Sequence, residues 1–251
     1  MTGRRAGTTS LLVAHPLPLA HEPARSAEAR PPSVLLAGGF RPFFLLAGLY
    51  AVVSVGAWLV AYAGAWSLPR PWVPMWWHGH ELVFGFAAAA ICGFLLTAVP
   101  KWTGTAPVTG APLGALVLVW MAGRAAMWAA GALPPAVVAV VDLALFPALG
   151  LAVGRPILRA RNRRNYGFPV LLLALFAANL LMHAQVLGIA GTDRAGLYLG
   201  LYIVVAMVAV VSGRIVPAFT SNALARRGGP AVRQAPTLGR TAVAAVVLAG
   251  A

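Results

Sequence analysis

The sequence predicts an all-α fold, a polytopic transmembrane helix bundle with six complete spans and a truncated seventh. Three observations carry that expectation. Hydrophobic residues make up 60% of the chain and charged residues 10%, whereas soluble domains are nearer half apolar and about a quarter charged. Apolar runs recur at the length of about 20 residues that a helix needs to cross a bilayer. The basic residues, 19 against 5 acidic for a net charge of +14, collect in alternate connections between those runs. Such a balance in a soluble protein suggests nucleic acid; here topology explains it, and membrane lipid rather than nucleic acid is the expected partner.

In chain order, residues 1–38 contain Arg4, Arg5, Arg25, Arg30 and several prolines but no run long enough to span. They are expected to form a flexible cytoplasmic arm in which His15 and His21 are solvated. Ser10 to Ala14 is too short for a signal-peptide core. Residues 39–251 form the expected transmembrane domain, with spans at roughly 42–65, 78–99, 111–131, 134–154, 168–190 and 195–217. A seventh apolar run begins near Thr241 and stops at Ala251, which suggests an incomplete protein. The arm, Lys101, the cluster Arg155 to Arg164, and Arg226 to Arg240 fall on one side; Arg70 and Arg194 fall on the other. The positive-inside rule then puts the N-terminus in the cytoplasm and Trp66, Trp72, Trp76 and Trp77 in an aromatic belt at the outer face. The single cysteine, Cys92, excludes an internal disulfide or a Cys-based zinc site.

Trp76-Trp-His-Gly-His-Glu81 stands at the mouth of the second span. Ionisable groups at membrane depth are costly in lipid and usually face a bundle interior, a cavity or a metal. The fifth span places His183 some seven residues from its outer end, about 10 Å deep at 1.5 Å per residue, so the three membrane histidines share the outer half of the bilayer. Residues i and i+2 of an α-helix point about 200° apart. If the helix includes His78, then His78 and His80 face different ways; if Gly79 delays the helix, an extended His-x-His can hold one ion. Imidazole suits both haem iron and copper, so residue type alone does not choose between them. Glu81 would fix an imidazole tautomer as a hydrogen-bond acceptor.

Arg124 in the third span and Asp142 in the fourth lie at similar distances from the turn at 131–134 and are expected to pair as a structural clasp. Haem propionates are an alternative partner for Arg124. Asn179, one turn before His183, can bond across helices or orient a ligand. Met182 and Cys92 read as packing residues. Thr97-Ala-Val-Pro-Lys-Trp-Thr-Gly104 is expected to break the second helix at Pro100 and Gly104. That run and Gly213-Arg-Ile-Val-Pro-Ala-Phe-Thr220 are more specific than membrane anchoring requires.

Gly39-Phe-Arg-Pro-Phe-Phe44, His78-Gly-His-Glu81 with Phe84-Gly-Phe86, Gly93-Phe-Leu-Leu-Thr-Ala98 with Pro100-Lys-Trp-Thr-Gly104, and Gly213-Arg with Pro217-Ala-Phe-Thr220 together resemble the NnrS family. The resemblance implies a multi-pass protein of the bacterial inner membrane that contains haem and copper and is linked to nitric oxide metabolism and nitrosative-stress defence. Its small partner would be nitric oxide or a similar diatomic. Carried over by motif, His78, His80 and Glu81 match the family's His-x-His-Glu, and His183 is the remaining membrane histidine. The resemblance does not assign haem or copper to particular histidines. Lys101 departs from the pattern, in which Asn is expected. The residues alone also admit a proton- or ion-coupled transporter using Arg124, Asp142 and the histidines, or an anchor subunit of a respiratory oxidoreductase.

Overall fold

The structure is a computed structural model and describes residues 33–67 and 71–228. Among them there is no strand; the chain is helical, with six helices long and apolar enough to cross a membrane. The first is α1 (Phe40–Tyr62). The second span comprises α2 (Pro74–His80), a π-helical turn (Glu81–Ala87) and α3 (Ala88–Thr103). The third is α4 (Gly110–Trp128). The fourth is split into α5 (Pro135–Leu143) and α6 (Leu145–Arg159), and α7 (Gly167–Val186) and α8 (Asp193–Ala225) are the fifth and sixth.

Prolines explain most departures from the expected boundaries. Pro74 and Pro135 open helices at the first turn, where a missing N–H leaves nothing unsatisfied. Pro147 cannot donate to the carbonyl of Leu143, four residues back, and the fourth span is interrupted at Ala144. Pro100 does not end the second span. Its neighbours Leu95, Leu96 and Val99 are packed in the core, and the helix runs on to Thr103 before Gly104 stops it at φ 68°. Pro217 likewise lies inside α8, which extends beyond residue 217 to Ala225. A 3₁₀ turn at Val34–Ala37 occupies the end of the stretch expected as an arm, with Arg41 Nη1 donating to Val34 O at 2.7 Å. The rest of the arm, His15, His21 and the seventh apolar run lie outside the described residues.

The second span is central, with 56% of its apolar window buried against 22% for α1. It packs against α1, α6 and α8, while α4 and α5 form a hairpin and α7 lies between α6 and α8. Large apolar side chains such as Val52, Leu118 and Val140 point outward, whereas Ser54, His80, Glu81, Arg124, Asp142, Asn179 and His183 are buried. Lipid leaves an outward apolar side chain at no cost and an outward charge at a high one, which is why the polar groups turn in. One end of the bundle carries Trp66, Trp72, Trp76, Trp77 and Trp128; the other carries Arg159, Arg161, Arg163 and Arg164.

Candidate metal centre

Five spans bring polar side chains to one level beneath the Trp-rich end. On α4, Trp120, Arg124 and Trp128 recur every four residues and therefore share a face. Asn179 and His183 do the same on α7. Asp142 comes from the last turn of α5, Tyr50 from mid α1, and His80 with Glu81 from the junction of α2 and the π turn. Such wide turns are rare in helices and occur mostly at functional sites. The backbone here leaves room for partners. Trp120 Nε1 donates to Gly85 O at 3.0 Å. A Cβ on Gly85 would stand 2.7 Å from Tyr50 Cε1 and 3.0 Å from Arg124 Nη1, so only glycine permits this approach.

Arg124 joins the two carboxylates. Its Nη1 donates to Glu81 Oε2 at 2.7 Å and its Nη2 donates to Asp142 Oδ1. Tyr50 donates its hydroxyl to Glu81 Oε2 and accepts from Trp128 Nε1 at 2.9 Å. His80 Nδ1 lies 2.8 Å from Glu81 Oε1, and His80 Nε2 lies 2.8 Å from Asn179 Oδ1 and 3.2 Å from Asp142 Oδ2. Asp142 Oδ2 also accepts from Asn179 Nδ2 at 2.8 Å and faces His183 Nε2 at 2.9 Å. The His80 and His183 rings are 5.6 Å apart, and Trp72 covers both, 5.1 Å and 5.4 Å away.

Counting donors exposes a deficit. A neutral His80 that gives its Nδ1 proton to Glu81 presents a bare lone pair at Nε2, facing the Asn179 and Asp142 oxygens. Turning the Asn179 amide over would satisfy Nε2 but would set its oxygen against Asp142 Oδ2. With that tautomer either orientation leaves acceptor against acceptor, and a positive charge at Nε2, carried by a second proton or by a metal ion, relieves the conflict. Charge gives the same answer: one guanidinium meets two carboxylates, so with neutral imidazoles one negative charge is left over. One ligand atom from each of His80, Asp142 and His183 lies within 4.8 Å of the others, a spacing suited to a single ion.

His80, Glu81, His183 and Arg124 therefore converge. His78 does not join them. Because α2 already includes it, its ring points away and stacks on Trp58 at a centroid distance of 4.2 Å. A single ion held by both His78 and His80 is not the arrangement this geometry gives. His78 Nδ1 is buried without a hydrogen-bond partner, as is Trp77 Nε1.

A family model described as NnrS protein matches residues 34–251. The chain belongs to the NnrS family. Comparison with curated proteins and with solved structures finds no match. In this NnrS family member, His80 and Glu81 of the His-x-His-Glu motif enter the cluster, while Gly93, Thr97, Lys101 and Arg214, from the remaining motifs, meet around a cavity at the opposite end. Sequence reasoning paired Asp142 with Arg124 and grouped it with the imidazoles only in the transporter alternative, not as a metal ligand, and it put Trp72 in the belt rather than over the site. Tyr50 it missed; the one available signal was a hydroxyl in the middle of an apolar run.

Proposed function

We propose that this protein is a haem- and copper-binding protein of the bacterial inner membrane, N-terminus in the cytoplasm, that takes part in nitric oxide metabolism and defence against nitrosative stress. Copper is assigned to His80, His183 and Asp142, and haem to His78. The observation that carries the reading is the convergence of His80, Asp142 and His183 ligand atoms on one point that calls for positive charge, inside a buried cluster of a NnrS family protein. Imidazole nitrogens suit copper. A monovalent ion, copper(I), would cancel the single excess negative charge. Haem is supported by the buried, unpartnered Nδ1 of His78 beside Trp58. When bound, either metal supplies a coordination position for nitric oxide. The chain's own residues would orient and enclose: Glu81 fixes the His80 ring, Asn179 and Arg124 hold Asp142, and Trp72 covers the imidazoles.

A transporter would draw on the same charges. Their bonding to one another favours a fixed site over a pathway.

Purified protein tests the assignment by copper analysis and absorption spectroscopy. His183→Ala should lose the copper and keep the haem Soret band, whereas His78→Ala should lose the Soret band and keep the copper. Wild-type protein with neither metal nor band would defeat the reading; exchanged losses would reverse the two assignments.

A further inference from the structure

The cavity at the arginine-rich end takes no part in the metal centre. It encloses about 640 Å³ between α1, α3, α7 and α8. Phe40, Phe44, Phe94, Trp102, Phe168 and Phe219 wall it, with Trp102 and Phe168 stacked at 5.1 Å. Lys101, Arg164 and Arg214 reach the same space. Arg214 is held in place by neutral groups: Nη1 donates to Asn165 Oδ1 at 2.6 Å, Nη2 donates to the Arg164 carbonyl at 3.2 Å, and the guanidinium carbon stands 5.6 Å over the Phe168 ring. Its position is therefore fixed while no described residue compensates its charge.

Among the described residues no carboxylate comes near: the acidic ones are Glu81 and Asp142, engaged with Arg124, and Asp193, which starts α8 at the far end. Three cations thus face an aromatic cavity with no anion from the described residues. The cavity is also open sideways. Phe40, Phe44 and Phe219 are exposed on its flank, Phe219 by 71%, in the direction an apolar chain would leave it.

We propose that this cavity binds an anionic phospholipid, with the phosphate among Lys101, Arg164 and Arg214 and an acyl chain running past Phe44 and Phe219. A basic pocket between transmembrane helices, at the end where a headgroup lies, has the chemistry to recognise such a lipid. The site gives a role to the motif residues Phe40, Phe44, Gly93, Lys101 and Arg214, which the metal centre leaves unused, and it stands whether or not the metals bind.

The test uses the full chain, purified in detergent, stripped of lipid and titrated with phosphatidylglycerol or phosphatidylcholine of identical acyl chains, with bound lipid counted by native mass spectrometry. Phosphatidylglycerol should be preferred, and Lys101→Gln and Arg214→Gln should each cut that preference about five-fold. Arg159→Gln, at the same end but outside the cavity, should leave it intact. The Lys101 side chain makes no hydrogen bond among the described residues, so its variant reads the site even where loss of the Arg214–Asn165 bond harms folding. Equal binding of the two lipids would overturn the proposal, as would an equal loss in Arg159→Gln. Added haem separates the other source of anionic, apolar ligand. Displacement of the lipid by haem, with an absorption shift that depends on Lys101 and Arg214, would make the pocket a haem site and end the lipid assignment.

Discussion

At the Trp-rich end, Arg124 meets two carboxylates that in turn face two imidazoles in one enclosed cluster; at the arginine-rich end, Lys101, Arg164 and Arg214 face a cavity to which the described residues bring no carboxylate. The first group lies at membrane depth, where an unmatched charge is expensive and partners must come from the protein itself. The second lies where the helices end, and water or a lipid headgroup can serve as partner. The difference teaches where to look for ligands. A closed cluster with one charge left over takes a small cation, whereas an open set of like charges takes an anion from outside.

Removing charge from the closed end should break this contrast most severely. Asp142→Ala leaves Arg124 without one of its two carboxylates and His183 Nε2 without its acceptor, and losing one partner of a buried ion pair costs about 3–5 kcal/mol. Helical signal on heating in detergent should be lost at a clearly lower temperature than in wild type. A smaller effect is expected from Gly85→Ala, whose added methyl must push Tyr50 and Arg124 apart. Overpacking of this kind costs about 1–3 kcal/mol, and bound copper should fall along with stability. The smallest effect belongs to the open end. Asn165→Ala removes the Arg214 hydrogen bond at a half-exposed guanidinium, worth about 1 kcal/mol or less. Thermal unfolding that ranked Asn165→Ala above Asp142→Ala would reverse the comparison.

Much of the bundle was legible because lipid enforces a simple code: run length marks a span. The level shared by Arg124 and Asp142 followed from counting residues either side of one short turn, and the approach of His183 to His80 from helix rise. Gly79 hid the divergence of His78 from His80, since glycine leaves open whether the helix has begun. Pro100 misled in the other direction, and the sixth span runs past its expected end at 217, because both helices continue through a proline despite a missing hydrogen bond. The convergence of Asp142, Asn179 and Tyr50 on His80 depends on how four spans rotate about their axes. Apolar runs that are hydrophobic all round carry no stripe to record that rotation.

The wide turn at Glu81–Ala87 holds one residue more than an α-helical turn would, because its backbone bonds i to i+5. Deleting one residue between Leu82 and Phe86 would let the backbone close into ordinary i to i+4 bonding with little change in how Ala88–Thr103 faces relative to His80. Gly93 would keep its seat against Phe43 and Phe44, whereas Gly85 would be drawn from its place against Tyr50 and Arg124, although no side chain at either end had changed. The turn works as local slack, giving one residue to the buried cluster without rotating the half of the helix that serves the other end of the molecule.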